Sequence, residues 1–372
     1  MRLIAAVIVL VAVYFIQKQL YRKYWDKSLD MSLCFSRDFI ECGETAELVE
    51  VVSNDKLLPL PVFHMKFSID KSLQFEETEN ASITDLYHKN QVFSIMGHQR
   101  ITRRLEFTGT ERGVITLNNA SILVHDFFMT SHYARRIPDY DCIYVFPKKL
   151  KTENFDLKFR GIMGELETKN GIITDNLTYR GIREYQPFDP YRSINWKQSA
   201  KARELMVNIY GYTTDSNVRI MLNLDNDYMI ETDKLLEESI SLVSTFAKRL
   251  TEKAVNVSLV TNGVMKDGTP LRPVPDGAER RHSITIDKTL TEIRGSSGKD
   301  AFLSMLEHEL SDIRRDTLYL VVSPYAKEDM MMLLDRMEAA GGTVHLIVPY
   351  YDEYPYKPDR PYSDGWEVSI NV

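Results

Sequence analysis

The chain has 372 residues and a formal net charge of −7, with 44% hydrophobic and 27% charged residues. This length predicts two folded domains, at the usual ~100–200 residues per domain. Nucleic-acid-binding domains usually carry a basic face, so the acidic balance argues against nucleic acid as a partner. Three cysteines without a C-x-x-C pair argue against both a disulfide framework and a zinc knuckle.

Residues 1–29 are predicted to be a transmembrane anchor and its juxtamembrane segment. Residues 3–16 are uninterrupted apolar sequence. A helix extended to Tyr21 is about 28 Å long, close to the ~30 Å hydrocarbon core of a bilayer. We therefore expect residues 3–21 to contact membrane lipid. A cleaved signal peptide is the alternative, but no small-x-small cleavage site follows Ile16.

The charges that flank this segment predict its orientation. Only Arg2 and the amino terminus precede it, whereas four basic residues follow it, namely Lys18, Arg22, Lys23 and Lys27. The more positive flank stays in the cytoplasm. We therefore expect a single-pass protein of the cytoplasmic membrane with a cytoplasmic body and reduced cysteines. A disulfide bridge between Cys34 and Cys42 is the alternative.

Residues 30–150 read as a series of short strands. Turn residues separate seven runs that are rich in β-branched and aromatic residues. The runs are 46–52, 62–69, 92–96, 101–107, 114–117, 122–124 and 143–146. No helix-length stretch with a 3.6-residue period interrupts them. This pattern predicts an antiparallel β-sandwich domain.

Residues 216–350 alternate between strand and helix patterns. Strands are predicted at 218–224, 255–260, 318–322 and 344–348, and helices at 231–254, 300–313 and 327–340. This alternation predicts an α/β, Rossmann-like domain with a largely parallel sheet and helices on both faces. Residues 264–298 are predicted to form a hairpin or loop insertion. The Tyr/Pro-rich tail, 351–372, is predicted to be an extended surface segment, with a partner-docking peptide as the alternative.

The most distinctive stretch, 179–207, lies in a polar connector that we assign to residues 151–215. It combines arginines, carboxylates and aromatic residues. Arginine pairs with carboxylates and stacks on rings, so this stretch can join two domains or present a docking face. Its basic residues could bind an anion, but the interspersed Glu184, Asp189 and Glu204 favour internal pairing.

This stretch resembles the signature of the bacterial domain-of-unknown-function fifty-eight family, which runs approximately R-E-Y-x-x-G-D-x-x-R-x-I-D-W-x-x-x-A-R. Eight residues match it in order and spacing, namely Arg183, Glu184, Tyr185, Asp189, Arg192, Ile194, Trp196 and Ala200. Leu205 and Val207 match the strand that follows. Phe188, Asn195 and Lys201 depart from the family's glycine, aspartate and arginine. The resemblance covers nearly the whole chain after the anchor.

The resemblance implies a β-sandwich followed by a domain similar to the von Willebrand factor A fold, in a bacterial membrane protein. Family members are commonly associated with MoxR-type AAA+ ATPases and with transglutaminase-like membrane proteins, and no reaction is defined for them. An adaptor role is therefore implied. The signature residues expected to form the interaction site are Arg183, Glu184, Tyr185, Asp189, Arg192, Trp196, Lys197 and Ala200.

The A-type fold normally holds a metal ion on a D-x-S-x-S loop, because a hard cation needs a cage of oxygen ligands. Here both serines of that loop are replaced, by Asp227 and Met229, and no aspartate follows Val322 at the expected place. Asp225 and Asp227 are therefore only weak metal candidates. We expect no cofactor beyond weak binding of a divalent cation.

The sequence also lacks the common catalytic motifs. It contains no H-E-x-x-H, no G-x-S-x-G, no Walker loop and no G-x-G-x-x-G. The leading hypothesis is a membrane-anchored, non-catalytic adaptor that works with a MoxR-type ATPase in the assembly or maturation of a partner complex. One alternative is a metal-dependent adhesion module facing outward. Another is an unrecognised enzyme that uses the arginines between 183 and 203 on an anionic substrate.

Overall fold

The computed structural model describes residues 2–76, 81–84, 86–137, 141–169, 179–185, 191–210, 217–225, 233–298 and 300–368. The chain divides into two compact units, Met1–Lys148 and Lys149–Val372, which we call unit 1 and unit 2. Each unit contains its own buried apolar clusters.

Unit 1 begins with a long apolar helix, α1 (Arg2–Tyr24). Its segment Leu3–Tyr24 is long and apolar enough to cross a membrane, and its leucine, isoleucine, valine and phenylalanine side chains are exposed. Apolar residues lie on all sides of α1 instead of along one stripe, which is typical of a helix surrounded by lipid. An N-terminal helix of this kind is either a single membrane span or a signal sequence.

The strands of unit 1 that the structure describes are β1 (Leu29–Phe35), β2 (Phe39–Glu41), β3 (Thr45–Asn54), β4 (Leu60–Asp70), β5 (Leu73–Phe75), β6 (Ala81–Ile83), β7 (Leu86–Ile95), β8 (Gln99–Gly109), β9 (Gly113–Thr116), β10 (Asn118–His125), β11 (His132–Arg136) and β12 (Cys142–Phe146). They form sheets in the orders β1-β3-β8-β5, β11-β10-β4-β7-β6 and β2-β12-β9. The seven runs predicted as strands all overlap these elements. Cys34, Cys42 and Cys142 form no disulfide, so the alternative bridge between Cys34 and Cys42 is wrong.

The two larger sheets pack as layers of a sandwich. Every second residue of β3 is buried, so one face of this strand lines the interior. One apolar cluster joins Leu48 and Phe107 of the first sheet to Phe67 and Tyr87 of the second. Unit 1 is thus a β-rich body with sandwich-like sheets, as the strand pattern predicted.

The elements of unit 2 that the structure describes are α2 (Glu153–Lys169), β13 (Tyr179–Glu184), a 3₁₀ turn (Tyr191–Ser193), α3 (Trp196–Ala202), β14 (Met206–Tyr210), β15 (Asn217–Leu222), α4 (Asp233–Glu252), β16 (Asn256–Thr261), β17 (Gly263–Val264), β18 (Val274–Gly277), α5 (Arg280–Glu292), β19 (Gly295–Ser296), α6 (Ala301–Ser311), β20 (Thr317–Val322), α7 (Glu328–Ala339), β21 (Thr343–Tyr351) and β22 (Ser363–Val368). The main sheet has the order β18-β16-β15-β20-β21-β22. Its pairings are parallel except that of the edge strand β18. The strand order reverses between β15 and β20, and in such sheets ligands bind outside the carboxyl ends of the strands at this point.

Helices cover both faces of this sheet. Val218, Ile220 and Leu222 of β15 belong to a core shared with α2, α4 and α5, whereas Met221 belongs to a core shared with α6 and α7. The alternation follows from the two-residue period of a strand. Because both faces of β15 are buried, the strand reads as a nearly continuous apolar run, which explains why it was predictable from sequence.

Two segments contain helices that the sequence did not predict. The connector 151–215 includes α2, which buries Phe155 and Phe159 in the core of unit 2 although most of its residues are polar. The segment 264–298, expected as a hairpin or loop, includes α5, which buries Leu290 against the same core. Each helix carries only a narrow apolar stripe. Packing of that stripe against the sheet and α4 is what stabilises the helix.

The tail also differs from the expectation. Residues 351–372 were predicted to lie extended on the surface, but they supply β22, which pairs in parallel with β21 and completes the sheet. Trp366 of β22 is only 3% exposed, and its Nε1 donates a hydrogen bond to Glu238 of α4 at 2.9 Å. Prolines precede β22, and proline is depleted in strands, so the sequence pattern did not predict this short strand.

A buried ion pair fixes the first residue of unit 2. Lys149 Nζ lies 2.7 Å from each carboxylate oxygen of Asp287 on α5, and both side chains are buried. The hydroxyl of Ser244 on α4 donates to the same carboxylate. An unpaired charge at this position would be costly, so the pair ties residue 149 to α4 and α5.

Candidate functional site

The signature stretch forms a small element of its own, which we call the signature element (β13, α3 and β14 with the 3₁₀ turn between them). β13 and β14 are antiparallel, and Ile194 forms an additional bridge with Val207. Ile194 and Val207 are both buried. These two apolar residues of the signature therefore hold the element together.

Asn195 starts helix α3. Its Oδ1 accepts a hydrogen bond from the amide of Gln198 at 3.0 Å, and its Nδ2 donates to Asn208 of β14 at 2.7 Å. Asparagine caps helices about as well as aspartate, so the departure from the family pattern at this position preserves the cap. The hydroxyl of Ser199 accepts from the amide of Met206 at 2.8 Å, which fastens α3 to β14.

The other face of the signature element is open to solvent. Trp196 is 68% exposed and Tyr191 is 75% exposed, and the ring of Tyr185 stacks on that of Tyr191 with centroids 6.0 Å apart. The exposed signature residues further include Arg183, Glu184, Lys197 and Ala200. A guanidinium nitrogen of Arg183 donates to the backbone carbonyl of Glu184 at 3.0 Å. The element thus presents aromatic and charged side chains together.

For two signature residues, the structure does not describe the side chain. Asp189 is outside the residues that the structure describes, and of Arg192 only the backbone is described, within the 3₁₀ turn. The expected pairing of the signature's arginines with Asp189 therefore stays a prediction. Trp196 is not a core residue, because most of its surface is exposed.

A second candidate region lies at the carboxyl ends of β15, β16 and β20, at the reversal of the strand order. Asp225 is buried, and its carboxylate accepts hydrogen bonds from Asn262 at 2.8 Å and from the hydroxyl of Tyr325 at 3.4 Å. Asn223 accepts from the amide of Asp225 and donates to Ser323, both at 3.0 Å. These polar side chains form one hydrogen-bonded cluster at the edge of the sheet.

The environment of Asp225 disfavours the charged form of its carboxyl group relative to water. Burial raises the pKa of the carboxyl group and nearby Asp300 adds to the rise, whereas hydrogen bonds from Ser296, Tyr325 and Asn262 oppose it. The amide and hydroxyl donors occupy oxygens that a cation would need. Within the described residues, no group of three or more His, Cys, Asp or Glu side chains could hold a metal ion. Asp227, the other weak metal candidate, lies outside the described residues.

A cavity of about 290 Å³ opens beside this cluster. Its wall includes Leu235 and Tyr325 together with tyrosines at the end of β21 and in the segment after it, among them Tyr350, Tyr354 and Tyr356. Sequence reasoning missed this cavity. The run of tyrosines and prolines in the tail was its signal, but only the sheet topology shows that the run folds back over the carboxyl ends of the strands.

No protein-family model matches this chain, and no curated protein matches it. Solved structures match about a third of it. The CARDB domain of the PF1109 protein from Pyrococcus furiosus is 17% identical, and the match covers 32% of this chain and 93% of that chain, with a TM-score of 0.22. A non-cellulosomal cohesin from Archaeoglobus fulgidus is 12% identical over 35% of this chain and 97% of that chain, with a TM-score of 0.23. A type II cohesin domain from Acetivibrio cellulolyticus is 7% identical, and the match covers 31% of this chain and 95% of that chain, with a TM-score of 0.24. Scores this low carry no argument about function.

Proposed function

We propose that this chain is a membrane-anchored, non-catalytic interaction protein, and that the open face of the signature element is its docking site. The observation that carries the proposal is the exposure of Trp196 and Tyr191 on an element whose Ile194 and Val207 are buried. Tryptophan, tyrosine and arginine are the residues most enriched at the energetic centres of protein interfaces. A single element of unit 2 thus combines rigid support with an aromatic surface that no described part of the chain covers.

The expected partner is a MoxR-type AAA+ ATPase. This choice rests on the resemblance of 179–207 to the family signature, since members of that family are commonly associated with such ATPases. The assignment of unit 2 to the von Willebrand factor A-like fold belongs to the same proposal. It is supported by the strand order of the main sheet, its antiparallel edge strand and the helices on both faces.

The proposed location is the bacterial cytoplasmic membrane, with α1 as a single span and the two units in the cytoplasm. Support comes from the length and apolar character of α1 and from the basic residues that follow its apolar core. An outward-facing adhesion module would need a cation at Asp225. The hydrogen bonds and the raised pKa of that carboxyl favour an interaction that is independent of a metal ion.

The test is a crosslinked pull-down of the tagged full-length protein from native membranes. Wild type should retain an AAA+ ATPase, and Trp196→Ala should lose it because the aromatic anchor is removed. Leu157→Ala is the matched control, since Leu157 is a large apolar residue of unit 2 that is 62% exposed but far from the signature in sequence. If Trp196→Ala and Leu157→Ala retain the same partners as wild type, the signature element is not the docking site. If wild type itself retains no ATPase, the partner assignment fails.

A further inference from the structure

Unit 1 gathers several loops at the end of the sandwich from which α1 emerges. The loops are 55–59, 96–98 and 126–131, together with the chain that leads from α1 into β1. The strand register places them at one end, through the pairs Leu29 with Asn54, Leu60 with Ile95, Gln99 with Asn54, and His125 with Val62. We call this end the helix end of the sandwich.

The helix end carries most of the exposed large apolar side chains of the sandwich. They are Leu57, Met96, Phe127, Phe128 and Met129. Elsewhere in the described part of the sandwich, only Phe39 and Val92 are comparably exposed. A soluble surface rarely collects such residues in one place, so this cluster indicates a contact surface.

Helix α1 is fastened to the same end. The Tyr21 hydroxyl donates to the carbonyl of Pro59 at 2.7 Å, and the Trp25 ring stacks on Tyr133 at 5.7 Å. Tyr21 is itself buried. The helix therefore leaves the sandwich in a fixed direction.

The loop 126–131 reaches further along α1. Gln17 Nε2 donates to the Asp126 carboxylate at 3.2 Å, and the Tyr14 and Phe128 rings lie 6.3 Å apart. Asp126, the only charged residue of the loop, is turned inward and also accepts hydrogen bonds from the amides of Thr130 at 2.6 Å and Ser131 at 3.1 Å. The tip of the loop therefore presents apolar side chains without a charge.

The position of these contacts along α1 sets the depth of the loop. A helix needs about 20 residues to cross a ~30 Å hydrocarbon core. A span that starts at Leu3 therefore ends at Arg22, which marks the boundary of the hydrocarbon core. Tyr14 and Gln17 then lie roughly 7–12 Å on the bilayer side of that boundary. Interfacial apolar groups bury about 5–10 Å into the boundary between headgroups and acyl chains, which matches this depth.

Charge also favours lipid over a protein partner at this end. Arg22, Lys23 and Lys27 are exposed where α1 meets the sandwich, and the ammonium groups of Lys23 and Lys27 lie 5.4 and 5.0 Å from the Tyr24 ring centroid. Basic residues and aromatic rings above an apolar surface match the layering of phosphate headgroups over acyl chains.

We infer that the helix end is a second membrane contact, in which Phe127, Phe128 and Met129, with Leu57 and Met96, enter the interfacial layer of the bilayer beside α1. This inference rests on the proposed role of α1 as a membrane anchor. Its consequence is that the sandwich is held at a fixed orientation on the membrane instead of moving freely on a tether.

The experiment measures the depth of a spin label in the full-length protein reconstituted into phospholipid vesicles. Cys34, Cys42 and Cys142 are first changed to serine; serine keeps the hydrogen bond that the Cys42 thiol donates to the Thr110 carbonyl. Single cysteines are then introduced by Phe127→Cys at the helix end, Arg37→Cys at the opposite end of β1, and Leu10→Cys within α1. Accessibility to oxygen, which concentrates in lipid, is compared with accessibility to a water-soluble nickel chelate.

The label at 127 should resemble that at 10, with higher accessibility to oxygen than to nickel, and the label at 37 should show the reverse. If the label at 10 lies in lipid but that at 127 favours nickel, the anchor stands and the second contact is overturned. A label at 127 that is shielded from both reagents would place the loop against protein, which also overturns it. A label at 10 that favours nickel would remove the anchor, and the second contact with it.

Discussion

Unit 2 contains two tryptophans in opposite situations. Trp366 lies in β22, is 3% exposed and has its indole N–H satisfied by Glu238. Trp196 begins α3, is 68% exposed and lies on an element in which Ile194 and Val207 are buried. The first residue stabilises the fold, and the second is available to a partner. The same residue type is thus buried in the sheet at one position and left exposed at the other, and it is the exposed tryptophan that we propose serves recognition.

The largest expected effect concerns the buried ion pair that supports the core containing Trp366. Asp287→Ala removes the carboxylate that neutralises the buried Lys149 charge and should lower the free energy of unfolding by about 3–5 kcal/mol. Urea unfolding of the full-length protein in detergent measures this loss. The control is Asp267→Ala, at an exposed turn, which should change stability little. A similar small change for both variants would mean that the pair does not support unit 2.

Trp366→Ala should cost slightly less, about 3 kcal/mol, because it truncates a large buried side chain near the edge of the sheet. It also leaves Glu238 of α4 without the indole donor. The same urea experiment measures the effect, and the pull-down should still retain the partner for whatever fraction stays folded. A stability equal to that of wild type would contradict the placement of β22 in the sheet.

A smaller effect is expected at Asp225, which separates the metal-independent account from the adhesion alternative. Burial raises the pKa of this carboxyl, so its contribution to stability is fully present below the pKa of the unfolded chain and is lost as the pH rises through the folded pKa. Asp225→Asn removes the charge, so it should raise the Tm at pH 7, and this gain should shrink as the pH falls toward about 4. Thermal unfolding across this range checks the sign.

The matched control is Asp267→Asn, because hydrogen bonds from Thr269 lower the pKa of Asp267 and its substitution should give no gain at pH 7. The contrary outcome for Asp225 is tested by repeating the thermal unfolding with Ca²⁺ or Mg²⁺ added. If either ion raises the Tm of wild type but not of Asp225→Asn, a cation binds there and the adhesion alternative is favoured.

The smallest effect on stability is expected at Trp196, the exposed tryptophan of unit 2. Trp196→Ala removes a side chain that is mostly in solvent, so the free energy of unfolding should change by no more than about 0.5 kcal/mol. The urea midpoint of Trp196→Ala, measured beside that of Trp366→Ala, shows the contrast directly. A loss at Trp196 as large as that at Trp366 would make the signature a structural joint.

The sequence predicted those parts of the fold that carry their own pattern. Buried strands such as β15 and β20 are continuous apolar runs, and α4 repeats apolar residues at helical spacing. By contrast, α2, α5 and β22 gain their stability from surfaces supplied by distant parts of the chain. The local sequence pattern is therefore too weak to predict these elements.

The candidate site divides in the same way. Motif comparison located the signature between 179 and 207, since residue identities and spacing suffice for that step. The direction of Trp196 depends on how α3 is fastened to β14 by Asn195 and Ser199, and local spacing does not specify it. The ion pair of Lys149 and Asp287 joins residues far apart in sequence, so only the folded topology brings them together.

We propose that the exposed face around Trp196 contacts a partner in the membrane-bound protein. The most direct measurement places a photo-reactive phenylalanine analogue at position 196 of the full-length protein in native membranes, with the same analogue at position 157 as the control. We expect a crosslinked adduct with an AAA+ ATPase at 196 and none at 157. Absence of any adduct at 196, or equal adducts at both positions, would contradict it.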